Sequence, residues 1–336
     1  MDWTKSYSAH WRVFRVNRDT WADAEQVANV DSASFIRTAD GKLLESGKLV
    51  VTGNFGSDYY RVAMTAEQGG EVERVNVATL LFDTSGGTVD YGTTKYDVDG
   101  YSVLYPASTT AVTTGEYAPA GVDGAQYAGN LLRSAINAPV VVDGSFILND
   151  HIVHELGSEV ISAVWSVLDA GDFILQIDGS GVVHVMPRPT EPTLVIDNSR
   201  TRILSNGIKF SADRSDIPNR YVVINGINIT IAENNDPDSE VSTVRRGYTV
   251  DEIDTSPTPV NNETYGMYAE RMLKRHSILC DEREYAREYS PNVYPYSLVR
   301  ATINGLQGDM RVKSQSISCG NGITVKEKAY KEIALW

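Results

Sequence analysis

The chain has 336 residues, 42% of them hydrophobic and 22% charged, which is ample apolar content for folded cores and about two domains of ordinary length. Lys and Arg number 30 against 44 Asp and Glu, a net charge of −14, which disfavours any surface that grips nucleic acid or anionic lipid without specificity. The opening Met1-Asp2-Trp3-Thr4-Lys5 lacks the apolar core of a secretion signal and no run approaches bilayer-spanning length, so a soluble chain without a cleaved signal is expected.

Eighteen tyrosines and valine-rich stretches punctuated by glycine predict β-rich structure, because aromatic and β-branched side chains suit a half-buried pleated surface. Over roughly 11–102 short strands alternate with turn signals: Trp11-Arg12-Val13-Phe14-Arg15-Val16, Lys48-Leu49-Val50-Val51, and Tyr59-Tyr60-Arg61-Val62-Ala63-Met64. Residues 71–82 read as one long strand, with Ser85-Gly86-Gly87 turning it into a partner over 88–103. The texture changes at Ala118-Pro119-Ala120-Gly121. Asp123 then caps a predicted helix whose Tyr127, Ala128, Leu131, Leu132, Ala135 and Ile136 form one apolar stripe.

A second helix is expected from Ser158, with Val160, Ile161, Val164, Trp165 and Leu168 on one side and Gly171 as a left-handed stop. It leads into a hairpin, Phe173-Ile174-Leu175-Gln176-Ile177 and Val182-Val183-His184-Val185-Met186, around Asp178-Gly179-Ser180-Gly181. Pro187, Pro189 and Pro192 end this unit as a stiff link. Strands resume at Tyr221-Val222-Val223-Ile224, where Asn225-Gly226 predicts a tight hairpin with positive φ at both positions, into Ile227-Asn228-Ile229-Thr230-Ile231. After an acidic loop over 233–240, Asn262 is expected to cap a helix running to about Leu279, followed by strands over 297–304, 310–318 and 323–333.

Chemistry-bearing patterns are sparse. His151 and His154 with Glu155 form H-x-x-H-E, but the setting reads as extended, where positions three apart face opposite ways, so no metal site is expected. Asn234, Asn235, Asp236, Asp238 and Glu240 offer oxygen ligands without the spacing of an EF-hand and read as a solvated loop. Asp281-Glu282-Arg283-Glu284 reads as a polar segment facing solvent or another subunit. Cys280 and Cys319, far apart and in no zinc or redox spacing, read as small buried hydrophobes in a reducing compartment. No nucleophile elbow, phosphate loop or dinucleotide fingerprint occurs, and no catalytic residue, cofactor or metal is implied.

The helix over 158–168 and the segment Gly171-Asp172-Phe173-Ile174-Leu175-Gln176-Ile177-Asp178-Gly179-Ser180-Gly181-Val182-Val183-His184-Val185-Met186-Pro187-Arg188-Pro189 resemble the insert of phage tail-hub proteins. These are the baseplate hubs of contractile-tailed phages and the N-terminal hub region of tail-associated proteins in long-tailed siphophages. Arg311-Val312-Lys313-Ser314-Gln315-Ser316-Ile317-Ser318 with Cys319-Gly320-Asn321-Gly322-Ile323-Thr324-Val325 looks like that family's closing hairpin. The order of β domain, α+β insertion and β domain extends the resemblance over nearly the whole chain.

The resemblance implies an α+β, mainly β fold: two tail-tube-like β-barrel or sandwich domains, 1–117 plus 191–207 and 208–336 with one helix, around a small α+β insertion at 118–190. It implies a homotrimer whose six β domains form a pseudo-sixfold ring in the virion tail tip, assembled in the host cytoplasm. The ring would meet the hexameric tail tube or distal tail protein above and a downstream tip or receptor-binding protein below. It would enclose the channel for tape measure protein and DNA, which passes through without specific binding; an acidic lumen suits that passage. Many relatives continue into a peptidase, lysozyme or receptor-binding region. This sequence stops at Ala334-Leu335-Trp336, so the expectation is a structural hub without enzymatic activity.

Trp165, Tyr265, Tyr268 and Trp336 are the aromatic candidates for subunit interfaces, since such anchors dominate contact energies. A competing reading is a virion carbohydrate- or receptor-binding β protein using Tyr289, Tyr294 and Tyr296 around Pro291 and Pro295 as a platform. A glycan-cleaving enzyme, with two carboxylates across a cleft, is a third.

Overall fold

A computed structural model describes residues 7–37, 43–46, 58–90, 93–197, 203, 208–211, 215–303, 306–318 and 324–336. The fold is α+β and mainly β, spread over several sheets, and among the described residues none closes into a barrel. The expected strand over Lys48-Leu49-Val50-Val51 lies outside those residues, as does Cys319 with its turn.

The first body is one antiparallel sheet built from β1 (Tyr7–Val16), β2 (Asp23–Arg37), β3 (Leu43–Ser46), β4 (Asp58–Gln68), β5 (Glu71–Asp90) and β6 (Thr93–Tyr101), in the order β3-β2-β1-β4-β5-β6. Alternation selects the faces at the start of β1, where Trp11 and Val13 are buried and Arg12 and Phe14 half-buried, and irregular pairing with β2 between Arg15 and Val16 then brings Val16 inward. The turn expected at Ser85-Gly86-Gly87 does not form. Strand β5 runs through it to Asp90, and the glycines serve a bulge between Thr84 and Gly86, where a missing side chain lets the strand bend.

Next come α1 (Tyr105–Thr109), which sequence reading missed, and then, over the segment expected as the insertion (118–190), β7 (Tyr117–Ala118), α2 (Gly124–Ala135), β8 (Val140–Val142), β9 (Ile152–Val153), α3 (Val160–Ala170), β10 (Phe173–Ile177) and β11 (Val183–Pro187). The predicted cap is present: Asp123 Oδ1 accepts from the backbone N–H groups of Ala125 (3.0 Å) and Gln126 (3.3 Å). Asp123→Ala is expected to lower stability by about 1 kcal/mol, read from the shift of the urea midpoint at constant slope. Leu132 of α2 and Val164 and Leu168 of α3 pack with Val183 and Val185 of β11 in the largest core.

The stop of α3 differs from expectation. Gly171 has φ −94°, and the left-handed residue is Asp172 at φ 57°. Glycine is needed at 171 for space, because a Cβ there would lie 2.5 Å from the Phe146 ring. The predicted hairpin β10–β11 forms, its second strand one residue later than expected, with Phe173 opposite Pro187 and Ile177 opposite Val183, and β8 adds in parallel to β11.

The remainder comprises β12 (Pro192–Ile196), β13 (Lys209–Ser211), β14 (Arg220–Asn225), β15 (Asn228–Glu233), α4 (Thr243–Arg246), β16 (Asp251–Asp254), α5 (Tyr265–His276), β17 (Ile278–Glu288), β18 (Leu298–Ile303), β19 (Leu306–Ser318) and β20 (Thr324–Ala334). A six-stranded sheet runs β12-β18-β19-β20-β17-β13. This corrects the placement of 191–207 with the first β domain: β12 pairs in parallel with β18, and Ile203 bridges to Arg287, so both belong to the C-terminal sheet.

A separate small sheet, β15-β14-β16, packs Tyr221, Val223 and Ala232 against Tyr268, Ala269 and Leu273 of α5. Its hairpin is shifted by one residue from the prediction. Asn225 pairs with Asn228, leaving Gly226-Ile227 as the loop with positive φ at Gly226 and not at Asn225, the arrangement of a two-residue turn led by glycine. Helix α5 is capped by Thr264, whose hydroxyl accepts from the Met267 N–H (3.3 Å). The predicted cap, Asn262, has φ 64° and donates its N–H to Asn149 of the insertion instead. The helix ends at His276 because Ile278 already belongs to a strand.

Candidate functional site

The geometry that organises the molecule is a joint. The turn 178–181 at the tip of β10–β11 inserts against the first sheet, where Trp21 Nε1 donates to the Ser180 carbonyl (2.8 Å) and Arg61 donates to the same oxygen (3.1 Å). Thr79 Oγ1 donates to the Gly179 carbonyl (3.1 Å), and Asn76 Nδ2 to Ser180 Oγ (2.8 Å). Arg61, itself buried, is held by Asp23 at 2.7 Å. On the other side, Gln176 Nε2 donates to the Pro295 carbonyl (2.9 Å) of the C-terminal body.

Ion pairs continue the seam. Arg188 meets Asp172 (2.9 Å) and Glu332 (3.4 Å), while Arg275 of α5 meets Asp169 (3.1 Å) at the end of α3. Arg271 donates to the Ala170 carbonyl (3.3 Å) and pairs with Glu263 (2.6 Å). Between these contacts lies an open cleft of about 1170 Å³, lined by Asp172, Arg188, Lys274, Arg311, Glu332 and Trp336 among others. Its cations already face carboxylates or, for Lys274, the Trp336 ring at 5.2 Å, so the cleft reads as a seam between units.

The four predicted interface aromatics are distributed unevenly. Trp165 is half-buried, 6.5 Å from the Tyr296 ring. Tyr268 is buried, its hydroxyl donating to Asp254 (2.7 Å), and Tyr265 and Trp336 pack on the same cluster, with the Tyr265 hydroxyl donating to Asp150 (3.1 Å). Tyr294 and Tyr296 of the supposed platform sit at the insertion seam, Tyr296 beside Trp165 and Tyr294 near the Gly179 backbone.

The histidines part as extended geometry requires. His151 is exposed beside Tyr117, and His154 is buried, with the Tyr127 hydroxyl 3.1 Å from its Nε2. Among the described residues no group of three or more His, Cys, Asp or Glu is placed to hold a metal ion. In the acidic loop, Asn234 is buried and its amide donates to Ser239 Oγ (2.8 Å), while Asp236 accepts from the Asp238 N–H (2.9 Å); these side chains organise their own turn. Cys280 is exposed on β17, correcting the expectation of a buried residue. No helix among the described residues is long and apolar enough to cross a membrane.

Burial holds the His154 imidazole below its usual pKa, with Glu116 opposing the shift, and its Nδ1 has no hydrogen-bond partner. The folded state therefore resists a proton that the unfolded chain accepts near pH 6.5. Stability is full above that pH and falls as pH drops through it. Melting scans from pH 8 to 5 should show a steeper acid loss for the native chain than for His154→Gln.

Sequence reading missed the exposed isoleucines of the small sheet, Ile229, Ile231 and Ile253. The alternation Ile227-Asn228-Ile229-Thr230-Ile231 was a visible signal, but nothing local tells which face α5 covers.

No protein-family model matches the sequence, and no curated protein matches it. Solved structures do match in fold over nearly the whole chain. The tail protein from Neisseria meningitidis MC58 aligns with a TM-score of 0.59 at 11% identity, over 96% of this chain and 91% of that one. The 43 kDa tail protein of prophage MuSo2 from Shewanella oneidensis gives 0.53 at 12% identity, over 97% and 93%. The chain thus has the fold of phage tail proteins.

Proposed function

We propose that this chain is a structural, non-enzymatic phage tail protein that forms the hub of the tail tip or baseplate. Three copies make a pseudo-sixfold ring in which the two large sheets of each chain occupy successive positions. The observation that carries the reading is the likeness to a tail protein over 96% of this chain, a span that takes in both six-stranded sheets. The seam supports it further: an insertion tied by hydrogen bonds and ion pairs to both bodies holds them at a fixed angle, as a ring segment needs.

On this reading the ring joins a hexameric tail tube or distal tail protein to a tip or receptor-binding protein below. Tape measure protein and DNA leave through its opening, and the −14 charge keeps DNA from adhering there. Electron micrographs of the purified protein, alone and mixed with its tail-tube or distal-tail neighbour, test this. Rings of three copies with an open centre are expected, near three times 36.9 kDa by light scattering. A compact trimer with no opening, or no ring even with the neighbour present, would overturn it.

A further inference from the structure

The outer face of the small sheet is aliphatic. Cross-strand partners share a face, so the registers lay it out in rows. Glu233, Arg220 and Asp251 form the first row, Ile231, Val222 and Ile253 the second, and Ile229 with Ile224 the third. The opposite face, with Tyr221, Val223 and Ala232, is the one buried under α5. On the outer face Ile229 is 64% exposed, Ile231 53% and Ile253 61%, and Ile227 at the hairpin tip is 97% exposed.

Together these side chains present on the order of 500 Å² of apolar surface, against about 300–600 Å² for the largest patch of a typical monomer and about 800 Å² per partner in a stable interface. Strand propensity does not require them, since threonine serves a solvated strand face equally well. The patch therefore supplies more than half of what a specific contact needs.

We propose that this face is where one copy of the chain grips the next, seated on the outward face of its neighbour's C-terminal sheet; the proposal rests on the ring reading above. Charge selects that occupant. The aliphatic rows end at Glu233, fixed by Thr243, beside an Asp251 that Arg220 already neutralises, and the chain continues into Asp236 and Asp238, so the acidic excess of this rim comes from Glu233, Asp236 and Asp238. Their complement is a flat surface of small side chains crossed by apolar stems ending in cations. Lys326 and Lys328 of β20 provide it. Both are exposed; they pair directly with Ser316 and Ser314 of β19 on one side and with Ala286 and Glu284 of β17 on the other, so Lys326 stands among small side chains and Lys328 has one carboxylate beside it, and neither makes an ion pair among the described residues. Their methylene stems cover the isoleucines while the ammonium groups reach the carboxylates. The two faces are different surfaces of one chain, so the contact runs head to tail, the kind that closes into rings.

Two variants test the proposal: Ile229→Glu/Ile253→Glu on one face and Lys326→Glu/Lys328→Glu on the other. All four side chains are exposed in the single chain, so circular dichroism and the melting temperature of the monomers should be unchanged. Each variant alone is expected to stay at 36.9 kDa by light scattering at concentrations tenfold above those at which the native chain forms trimers. An equimolar mixture is expected to form a dimer, because each variant keeps the face the other has lost. Should the glutamates disturb the sheet, Ile229→Thr/Ile253→Thr retains strand propensity and is expected to weaken assembly as well. Variants that still form rings overturn this contact and leave the hub reading standing. A mixture that remains monomeric overturns the pairing of these two faces. A native chain that stays monomeric at every concentration overturns the second-copy contact, whereas rings formed only with the tail neighbour would preserve the hub reading.

Discussion

Glu327→Ala is expected to lower stability by about 3–5 kcal/mol, the cost of leaving a buried charge without its counter-charge. Arg287 and Glu327 are both fully buried on the inner face of the C-terminal sheet. Arg287 reaches Glu327 Oε2 through Nε (2.9 Å) and Nη2 (2.7 Å), and Gln315 donates to the same oxygen (2.8 Å). The Tyr285 hydroxyl donates to Oε1, completing the carboxylate's partners. Burial first, and then the carboxylate's charge, push the Tyr285 hydroxyl well above its ordinary pKa, so it remains a donor throughout the accessible pH range.

The double variant Arg287→Met/Glu327→Leu should recover part of the loss, because an apolar pair of similar volume removes both charges from the interior while the buried Tyr285 hydroxyl is left without its acceptor. Urea unfolding of the two single variants and the double variant separates these outcomes. A single substitution costing under about 1 kcal/mol would sink the argument that the pair is desolvated. The cluster also bears on the proposed assembly: Lys326 and Lys328, on either side of Glu327, are exposed on the same strand, so disorder in this strand should weaken the proposed subunit contact too.

Local chemistry was legible in the sequence where one short segment decides the outcome. Asp123 announces a cap by its side chain alone, and the hairpin over 173–187 follows from two apolar runs around a glycine-rich turn. Pairings set by distant segments were not legible. Strand β12 chooses β18, about a hundred residues later, and no feature of Pro192–Ile196 distinguishes that partner from the first sheet. Even Gly171 was read for the wrong reason: its use is to admit the Phe146 ring, a contact across the fold, and the positive φ falls one residue on. The interface candidates show the same limit. Aromatic character singled out Tyr268, which the fold buries, while the exposed face was made of isoleucines whose orientation depends on α5.

The joint between the units gives the second large effect. Gly179→Ala would place a Cβ 1.8 Å from the carbonyl oxygen of Asn76, a backbone atom of β5 that no side-chain rotation can move. The turn must withdraw, and with it go the hydrogen bonds from Trp21, Arg61, Thr79 and Asn76. At about 0.5–1.5 kcal/mol each, with Arg61 and Thr79 left buried, the loss is expected to reach about 3 kcal/mol or more. Gly115→Ala is the control, since a Cβ there meets nothing within 4 Å and its φ is not positive. The two variants should share a far-ultraviolet spectrum, while Gly179→Ala alone loses the near-ultraviolet signal of Trp21 and unfolds in two steps as the first sheet uncouples from the rest. If Gly179→Ala unfolded within about 0.5 kcal/mol of the control, the turn would be no more than a surface contact. A two-step loss confined to this glycine would instead mean that the tip of one hairpin couples the β bodies and sets the angle between them, on which closure of the proposed ring would depend.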